Sequence, residues 1–221
     1  MNDGYYRFVR RDIQRLLPKT AKRILDVGAG VGATSRWLKT RYASAFTLAL
    51  EGNSSLREEL RQNVDEAHIV DLNGPLPDVG APDLVLFLDV LEHLLHPEDV
   101  LAQLTANMPA DGTVIVSLPN VAHLSVSAPL LLKGAFEYSD AGILDRTHLR
   151  FFTRKSAIEL LNSAGFTVTG GMRSGLGGPR ARILDRLTFG AARDHLTKQY
   201  VLAGSRISSG TAERPIRWQT F

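Results

Sequence analysis

The stretch RILDVGAGVGATSRWL, residues 23–38, determines the fold of this chain. It begins with a short apolar run, turns through three closely spaced glycines and continues with helical spacing. Glycine is needed at such a turn because the backbone bends tightly and a ligand can lie directly against it. A strand, a glycine turn and a helix in this order predict the first unit of an α/β sheet with a ligand site at the turn.

Four more apolar runs follow the first one at short intervals, each with the composition of a buried strand. They are FTLALE (46–51), HIVDL (68–72), DLVLFLD (83–89) and GTVIVSLP (112–119). Helical patterns separate them, at 32–41, 53–63 and 97–107. Near-continuous apolar strands that alternate with helices predict an α/β fold, a doubly wound and mostly parallel sheet with helices on both faces.

The segments around this repeat have other patterns. A leading amphipathic helix is predicted within residues 1–20, where Pro18 ends the periodicity of 5–18. Residues 121–150 contain no clear strand and form a predicted insertion. A further helix follows at 153–166, with Thr153 as N-cap and Gly165 as C-cap.

Two closing strands are predicted at 167–173 and 199–207, separated by an Arg-rich excursion at 174–195. Residues 1–207 are therefore expected to form one domain. The remaining residues, 208–221, are expected to be a loosely ordered tail.

Composition limits the class of protein. The 221 residues are 44% hydrophobic and 22% charged, which is typical of a globular domain, and the absence of cysteine excludes disulfides and thiolate metal sites. The N-terminal residues are too polar for a signal peptide, and no apolar run approaches the roughly 20 residues that span a bilayer. A cytoplasmic location is expected.

Charge is divided unevenly along the chain. Residues 1–140 carry a net charge of −5 and residues 141–221 a net charge of +8, which together give the overall +3. The basic part is either a solvated surface or a face for an acidic or phosphate-bearing substrate. It has no Lys/Arg run with interleaved aromatic residues, so no nucleic-acid partner is expected. The Arg-rich excursion could support a homodimer.

The glycine pattern alone is compatible with two ligands. Gly28, Gly30 and Ala33 match a dinucleotide fingerprint, for which a diphosphate would lie at the turn. Asp26, however, would repel a diphosphate and could attract an ammonium group. Together with Glu51 and Asp71 at the ends of the next two strands, it favours an adenosine joined to an amino acid.

These motifs resemble those of the class I S-adenosylmethionine (SAM)-dependent methyltransferases, in particular the ubiquinone-biosynthesis-like small-molecule group (methyltransferase types 11, 12 and 23). The resemblance covers about residues 5–170. It is carried by RILDVGAGVGATSRWL, LALEGN, VDL, DLVLFLDVLEHLLHPEDVL and GTVIVSLPN. It implies seven strands in the order 3-2-1-4-5-7-6 with strand 7 antiparallel, SAM as cofactor and a small-molecule acceptor.

The resemblance also assigns cofactor contacts by position. They fall on Asp26, Gly28, Ala29, Gly30, Glu51, Gly52, Asp71, Leu72, Asp89 and Val90, with Tyr6 and Arg11 of the leading helix closing over the methionine end. Asp89 departs from the family, which often has Ser, Asn or Ala there. The insertion at 121–150 would cover the acceptor.

Methyl transfer to an alcohol requires an aligned nucleophile and removal of its proton. The candidate bases are His148, which is preferred, His93 and His123. His148 lies in GILDRTHLRFFT, residues 142–153, which resembles a segment of methyltransferases that accompany bacterial cell-surface glycan genes. A hydroxyl of a sugar or a related metabolite is therefore the expected acceptor.

The same segment has a purely structural interpretation. Asp145, Arg146 and Arg150 could form an ion-pair brace, with Phe151 and Phe152 in the core. A metal site is not predicted: HLLH, residues 93–96, follows Glu92, but Mg²⁺ prefers oxygen ligands. Two other functions stay open, an NAD(P)-dependent reductase and a SAM-binding partner protein without catalysis.

Overall fold

The computed structural model describes residues 3–175, 179–206 and 216–220. Its strands form one eight-stranded sheet in the order β3-β2-β1-β4-β5-β7-β6-β8. They are β1 (Arg23–Val27), β2 (Phe46–Glu51), β3 (Glu66–Ile69), β4 (Leu84–Leu88), β5 (Thr113–Pro119), β6 (Phe166–Ser174), β7 (Gln199–Arg206) and β8 (Arg217–Thr220).

The predicted topology is confirmed over the first seven strands. Strands β1 to β5 pair in parallel, and β7 runs antiparallel to both β5 and β6. Parallel strands present their carboxyl ends at one edge of the sheet, so the residues that follow β1, β2 and β4 meet there. This edge carries the site described below.

The prediction of a loosely ordered tail is wrong for its last part, because Arg217–Thr220 form β8, parallel to β6. Trp218 explains the pairing. Its ring covers Gly171, where an added Cβ would lie only 2.6 Å from the ring, and it meets the Tyr200 ring at 5.8 Å. Residues 208–215 and 221 of the tail lie outside the described residues.

Helices cover the sheet on both sides. They are α1 (Asp3–Tyr6), α2 (Ala33–Arg41), α3 (Arg57–Asn63), α4 (Pro97–Ala106), α5 (Leu124–Lys133), α6 (Arg154–Ser163), α7 (Pro179–Leu187) and α8 (Arg193–Leu196). Thr153 precedes α6, and its hydroxyl accepts from the Ser156 N–H, so the predicted N-cap is confirmed. Gly165 comes one residue after the C-cap, Ala164, with φ of +84°.

The prediction of one leading helix over 5–18 is wrong. Helix α1 ends at Tyr6, and only a short 3₁₀ helix follows at Arg11–Arg15. The physical reason is the burial of Arg10, whose backbone N–H donates to Thr34 Oγ1 at 3.2 Å and whose side chain turns into the sheet. These tertiary contacts replace the helical hydrogen bonds between the two pieces.

The core consists of two layers, one on each face of the sheet. Strand β4 shows the alternation: Leu84 and Leu86 face one layer, Val85 and Phe87 the other, and all four are fully buried. The insertion adds α5, which contains Pro129, and a bridge joins Asn120 to Phe152. None of the helices in the described ranges is long and apolar enough to cross a bilayer.

Candidate active site

A cavity of about 520 Å³ opens at the carboxyl edge of the central strands. Most of the residues to which the resemblance assigns cofactor contacts line it. The lining residues are Gly4, Tyr6, Phe8, Arg10, Asp26, Gly28, Ala29, Gly30, Thr34, Glu51, Gly52, Leu72, Leu88, Asp89, Val90, His93 and Leu94. The volume lies within the range of small-molecule and cofactor sites, 300–1,000 Å³.

The glycine turn forms the floor of the cavity and requires glycine twice. Gly28 and Gly30 have φ of +67° and +58°, a region that side chains other than glycine rarely adopt. A Cβ on Gly28 would lie 2.5 Å from a methyl group of Val90, and one on Gly30 would lie 2.7 Å from the Tyr6 carbonyl oxygen. Tyr6 thus packs directly onto the turn and closes one side of the cavity.

Glu51 ends β2 with a buried side chain whose carboxylate is held by two backbone groups. Oε2 accepts from the Gly30 N–H and Oε1 from the Asn53 N–H, each at 2.8 Å. Each oxygen keeps further lone-pair capacity. The carboxylate therefore fixes the turn and can also accept hydrogen bonds from a ligand in the cavity.

Asp26 lies deeper, at the end of β1, and is 3% exposed. Its Oδ2 accepts from the Ser35 hydroxyl at 2.6 Å. Burial is the main reason that its pKa is raised to about 6; the Ser35 hydrogen bond opposes the rise and the charge of Glu51 adds to it. A cationic group placed beside Asp26 would remove much of this penalty.

We expect Asp26 to make the ligand-free protein less stable as pH rises. Its pKa is about 6 in the folded state and 3.8 in the unfolded state, so its contribution is full below pH 4 and is lost as pH rises to about 6. The loss amounts to about 3 kcal/mol. Asp26→Asn should be as stable as the natural protein at pH 4 and more stable above pH 6, as measured by urea unfolding across that range. Equal pH profiles for the two proteins would contradict the assignment.

Asp89 follows β4 at φ of +62°, an uncommon backbone conformation for a residue other than glycine. Three side chains donate to its carboxylate: Arg10 Nη1 to Oδ2 at 2.7 Å, Ser117 Oγ to Oδ1 at 2.7 Å, and Gln199 Nε2 to Oδ1. Arg10 also donates to Asp12, from Nη2 at 2.8 Å. Asp89 is thus part of a network that extends to β5 and β7 and lines the cavity.

Arg10 is the main residue of the cavity wall that the sequence analysis missed. Arg11, which was predicted to close over the cofactor, lies in a separate depression lined also by Arg7 and Arg36. Asp71 is likewise not in the cavity wall; its carboxylate accepts from the Asn73 N–H at 2.9 Å, while Leu72 beside it lines the cavity. The sequence signal that could have indicated Arg10 is the helical spacing of apolar and polar residues. This spacing is interrupted between the end of α1 and the 3₁₀ helix.

The three candidate bases occupy different places. His93 lines the cavity. His148 is buried behind His93. The centroids of the two imidazole rings lie 4.8 Å apart, and the ring planes are inclined by 72°. His123 lies outside the cavity wall and caps α5, since its Nδ1 accepts from the Ser125 N–H at 3.1 Å. A cap explains His123 without a catalytic role.

Glu92 lies beside the two histidines and is 1% exposed. Neither oxygen of its carboxylate has a hydrogen-bonding partner among the described residues. Burial, followed by the charge of Asp89, raises the pKa of Glu92 well above its usual value. Burial and the neighbouring His148 lower the pKa of His93. These three side chains form the Glu92–His93–His148 cluster. Shifted pKa values, here those of Glu92 and His93, are typical of functional sites.

The ion-pair brace proposed for residues 142–153 is not formed. Asp145 instead accepts from the Thr147 N–H and hydroxyl, Arg146 pairs with Asp140, and Arg150 donates to the Leu95 carbonyl oxygen at 3.0 Å. The aromatic anchors divide their roles. Phe152 packs in the core, whereas Phe151 meets Phe136 and Tyr138.

Backbone hydrogen bonds fix this segment to the turn after β4. The N–H groups of Leu149 and Arg150 both donate to the Glu92 carbonyl oxygen, at 2.8 and 3.0 Å. His93 Nδ1 approaches the Thr147 carbonyl oxygen at 3.1 Å. The segment is therefore bound on top of the Glu92–His93 turn, which brings His148 next to His93, behind the cavity wall.

Comparison with known proteins identifies the family. A family profile described as a methyltransferase domain matches residues 1–170, more than half of the chain. The chain belongs to this methyltransferase family. The resemblance drawn from the motifs is confirmed, and the predicted cofactor, SAM, agrees with it. The resemblance of residues 142–153 to methyltransferases that accompany cell-surface glycan genes stays a prediction.

Two curated relatives show partial similarity. Trans-aconitate 2-methyltransferase of Delftia acidovorans is 26% identical over 104 residues, 45% of this chain and 39% of the relative. Malonyl-[acyl-carrier protein] O-methyltransferase of Geobacter sulfurreducens is 29% identical over 184 residues, 74% of this chain and 65% of the relative. The matches thus span between two fifths and two thirds of these relatives.

Solved structures share the fold over nearly the whole chain. A SAM-dependent methyltransferase from Archaeoglobus fulgidus has a TM-score of 0.65 at 16% identity, covering 93% of this chain and 95% of that one. Another from Mesorhizobium loti has a TM-score of 0.61 at 16% identity, covering 88% and 96%. At these identities the similarity establishes the fold.

Proposed function

We propose that this methyltransferase binds SAM in the 520 Å³ cavity and transfers its methyl group to a hydroxyl of a small molecule, a sugar or a related metabolite. The observation that carries the proposal is the pair of buried carboxylates at neighbouring strand ends, Asp26 and Glu51, on either side of the glycine turn. A diphosphate would lie against both negative charges, whereas a nucleoside with an ammonium group complements them.

The positions of the two carboxylates suit different parts of SAM. Glu51, with free acceptor capacity on both oxygens, would accept from the ribose hydroxyls. Asp26 would lie near the ammonium group of the methionine part, with Tyr6 covering that end. Leu72 and Val90 would sandwich the adenine, because both line the cavity with apolar side chains.

The acceptor would enter beside the part of the cavity wall that His93 lines. Methyl transfer is an in-line displacement in which the positive charge on sulfur disappears, so the protein mainly has to align the acceptor and remove its proton. Of the Glu92–His93–His148 cluster, His93 lines that wall, and Glu92 and His148 lie close behind it. We assign acceptor activation to it, in place of His148 acting alone.

Replacement of His93 tests this assignment. His93→Ala should retain SAM affinity but lower turnover about 10²-fold, the lower range for a positioned acid–base group. SAM affinity is measured by calorimetry, and turnover by S-adenosylhomocysteine formation with a panel of sugars and polyhydroxylated metabolites. His123→Ala is the matched control and should behave as the natural protein, because His123 only caps α5.

The outcomes separate this proposal from its alternatives. If His93→Ala turned over at the natural rate, the cluster would not activate the acceptor. SAM binding without turnover on any acceptor would favour a non-catalytic binding protein, and NAD(H) binding without SAM binding would favour a reductase. Trans-aconitate, the acceptor in the name of one relative, belongs in the panel. If trans-aconitate were the one compound methylated, the acceptor group would be a carboxylate and the proposed hydroxyl acceptor would be wrong.

A further inference from the structure

We propose that Glu92, His93 and His148 bind one divalent transition-metal ion of the Zn²⁺ type, which holds the acceptor's oxygen beside the methyl group of SAM. The inference deepens the proposed function and rests on it for the position of the acceptor. One ligand atom from each of the three side chains lies within 4.8 Å of the other two. Two residues come from the turn after β4 and the third from a segment more than fifty residues later.

The three ligand atoms are near enough for one ion after a side-chain adjustment. Metal–nitrogen and metal–oxygen bonds are about 2.0–2.2 Å, so two ligand atoms of a tetrahedral ion lie about 3.4 Å apart. The 4.8 Å separation has to shorten by about 1.4 Å to reach this value. Rotations of the His93 and His148 side chains would supply the movement, because their backbones are already held together through Glu92 and Thr147.

Contacts with backbone carbonyl oxygens fix the tautomer of both histidines. His93 Nδ1 contacts the Thr147 carbonyl oxygen at 3.1 Å, and His148 Nδ1 contacts the Ile143 carbonyl oxygen at 3.0 Å. A carbonyl oxygen can only accept, so each Nδ1 must carry the proton, which leaves the lone pair on Nε2. Backbone carbonyls commonly fix metal-binding imidazoles in this way.

The carboxylate supplies the independent observation. Glu92 is 1% exposed, and both of its oxygens are without a hydrogen-bonding partner among the described residues. Buried polar groups are normally paired, so an unpaired carboxylate beside two imidazole rings indicates a ligand. The neighbouring cation, Arg10, already donates to Asp12 and Asp89.

The donor set determines the kind of ion. Two imidazole nitrogens and one carboxylate suit Zn²⁺ and related transition metals, whereas Mg²⁺ prefers oxygen. This departs from the expectation of no metal, which considered Mg²⁺ at residues 93–96; His96 is exposed and His148 takes its place. Three protein ligands leave a coordination position for a substrate oxygen, as in catalytic zinc sites.

The chemistry balances without a further reactant. The acceptor hydroxyl coordinates the ion through oxygen and releases its proton to water, since a bound metal makes such a group more acidic. The oxygen lone pair then forms the new C–O bond while the electron pair of the C–S bond returns to sulfur. The products are a methyl ether, S-adenosylhomocysteine and one proton.

Metal binding can be tested without knowing the acceptor. The full chain, free of affinity tags and dialysed against a chelator, is titrated with Zn²⁺ in a calorimeter and with Co²⁺ in a visible spectrometer. We expect one ion per chain. Glu92→Gln and His148→Ala should each weaken binding by at least about 10–100-fold, the loss seen when only an outer partner of a ligand is removed. His123→Ala, a histidine outside the cluster, should bind as the natural protein does.

Several results would overturn the site. They are no Zn²⁺ binding by the natural protein, or unchanged binding in both Glu92→Gln and His148→Ala, which would place the ion on other histidines. Glu92→Gln preserves the shape of the side chain and serves as the decisive variant if His148→Ala does not fold. SAM affinity, measured on the same samples, is the separate readout. Zn²⁺ binding without SAM binding would refute the proposed function and leave the metal site intact, and the reverse result would refute only the metal site.

Discussion

Glu51→Gln should abolish measurable SAM binding. In the natural protein both carboxylate oxygens accept from backbone N–H groups, and we propose that they also accept from the ribose. An amide has one acceptor oxygen, so its NH₂ group would face either the Gly30 or the Asn53 N–H, two donors in contact. Loss of the two ribose bonds to a charged group, each worth about 1.5–3 kcal/mol, lowers affinity about 10²–10⁴-fold.

Calorimetric titration with SAM and with S-adenosylhomocysteine measures this effect. Glu58→Gln is the matched control: Glu58 lies on α3 with a side chain 83% exposed, so its affinity should equal that of the natural protein. Circular dichroism shows whether each variant is folded. A folded Glu51→Gln protein with natural SAM affinity would mean that the cofactor does not lie against the end of β2.

The parts of the site that could be predicted follow from one geometric rule. Carboxyl ends of parallel strands share an edge, so identification of the apolar runs was sufficient to bring Asp26, Glu51 and Asp89 to one place. The glycine turn was equally predictable, because Gly28 and Gly30 adopt backbone conformations that favour glycine. Each of these inferences depends on local patterns and on the topology alone.

The parts that could not be predicted depend on contacts between distant segments. The sequence shows neither that the Glu92 carbonyl binds the backbone of Leu149 and Arg150 nor that His148 is thereby placed behind His93. Strand β8 is similar: four residues, RWQT, carry no periodic signal, and Trp218 is recognisable as a strand residue only once Gly171 lies beneath it.

The position of Arg10 in the leading segment was also not predictable, because it depends on contacts with distant strands. Replacement of Arg10 is the second substitution for which we expect a large effect. Arg10→Met should lower the free energy of unfolding by roughly 3–5 kcal/mol, the cost of removing one partner from a buried ion pair. Its side chain is 10% exposed, and removal leaves Asp89 and Asp12 without their shared cation. Urea unfolding at neutral pH measures the loss.

The matched control is the neighbouring residue that the sequence had suggested. Arg11 is exposed and lies outside the cofactor cavity, so Arg11→Met should change stability and SAM affinity little. Arg10→Met should weaken SAM binding as well, because Asp89 loses one of the three donors that orient it at the cavity wall. A larger loss of SAM affinity in Arg11→Met than in Arg10→Met would contradict this arrangement. It would mean that Arg11, and not Arg10, faces the cofactor, as expected for one continuous leading helix.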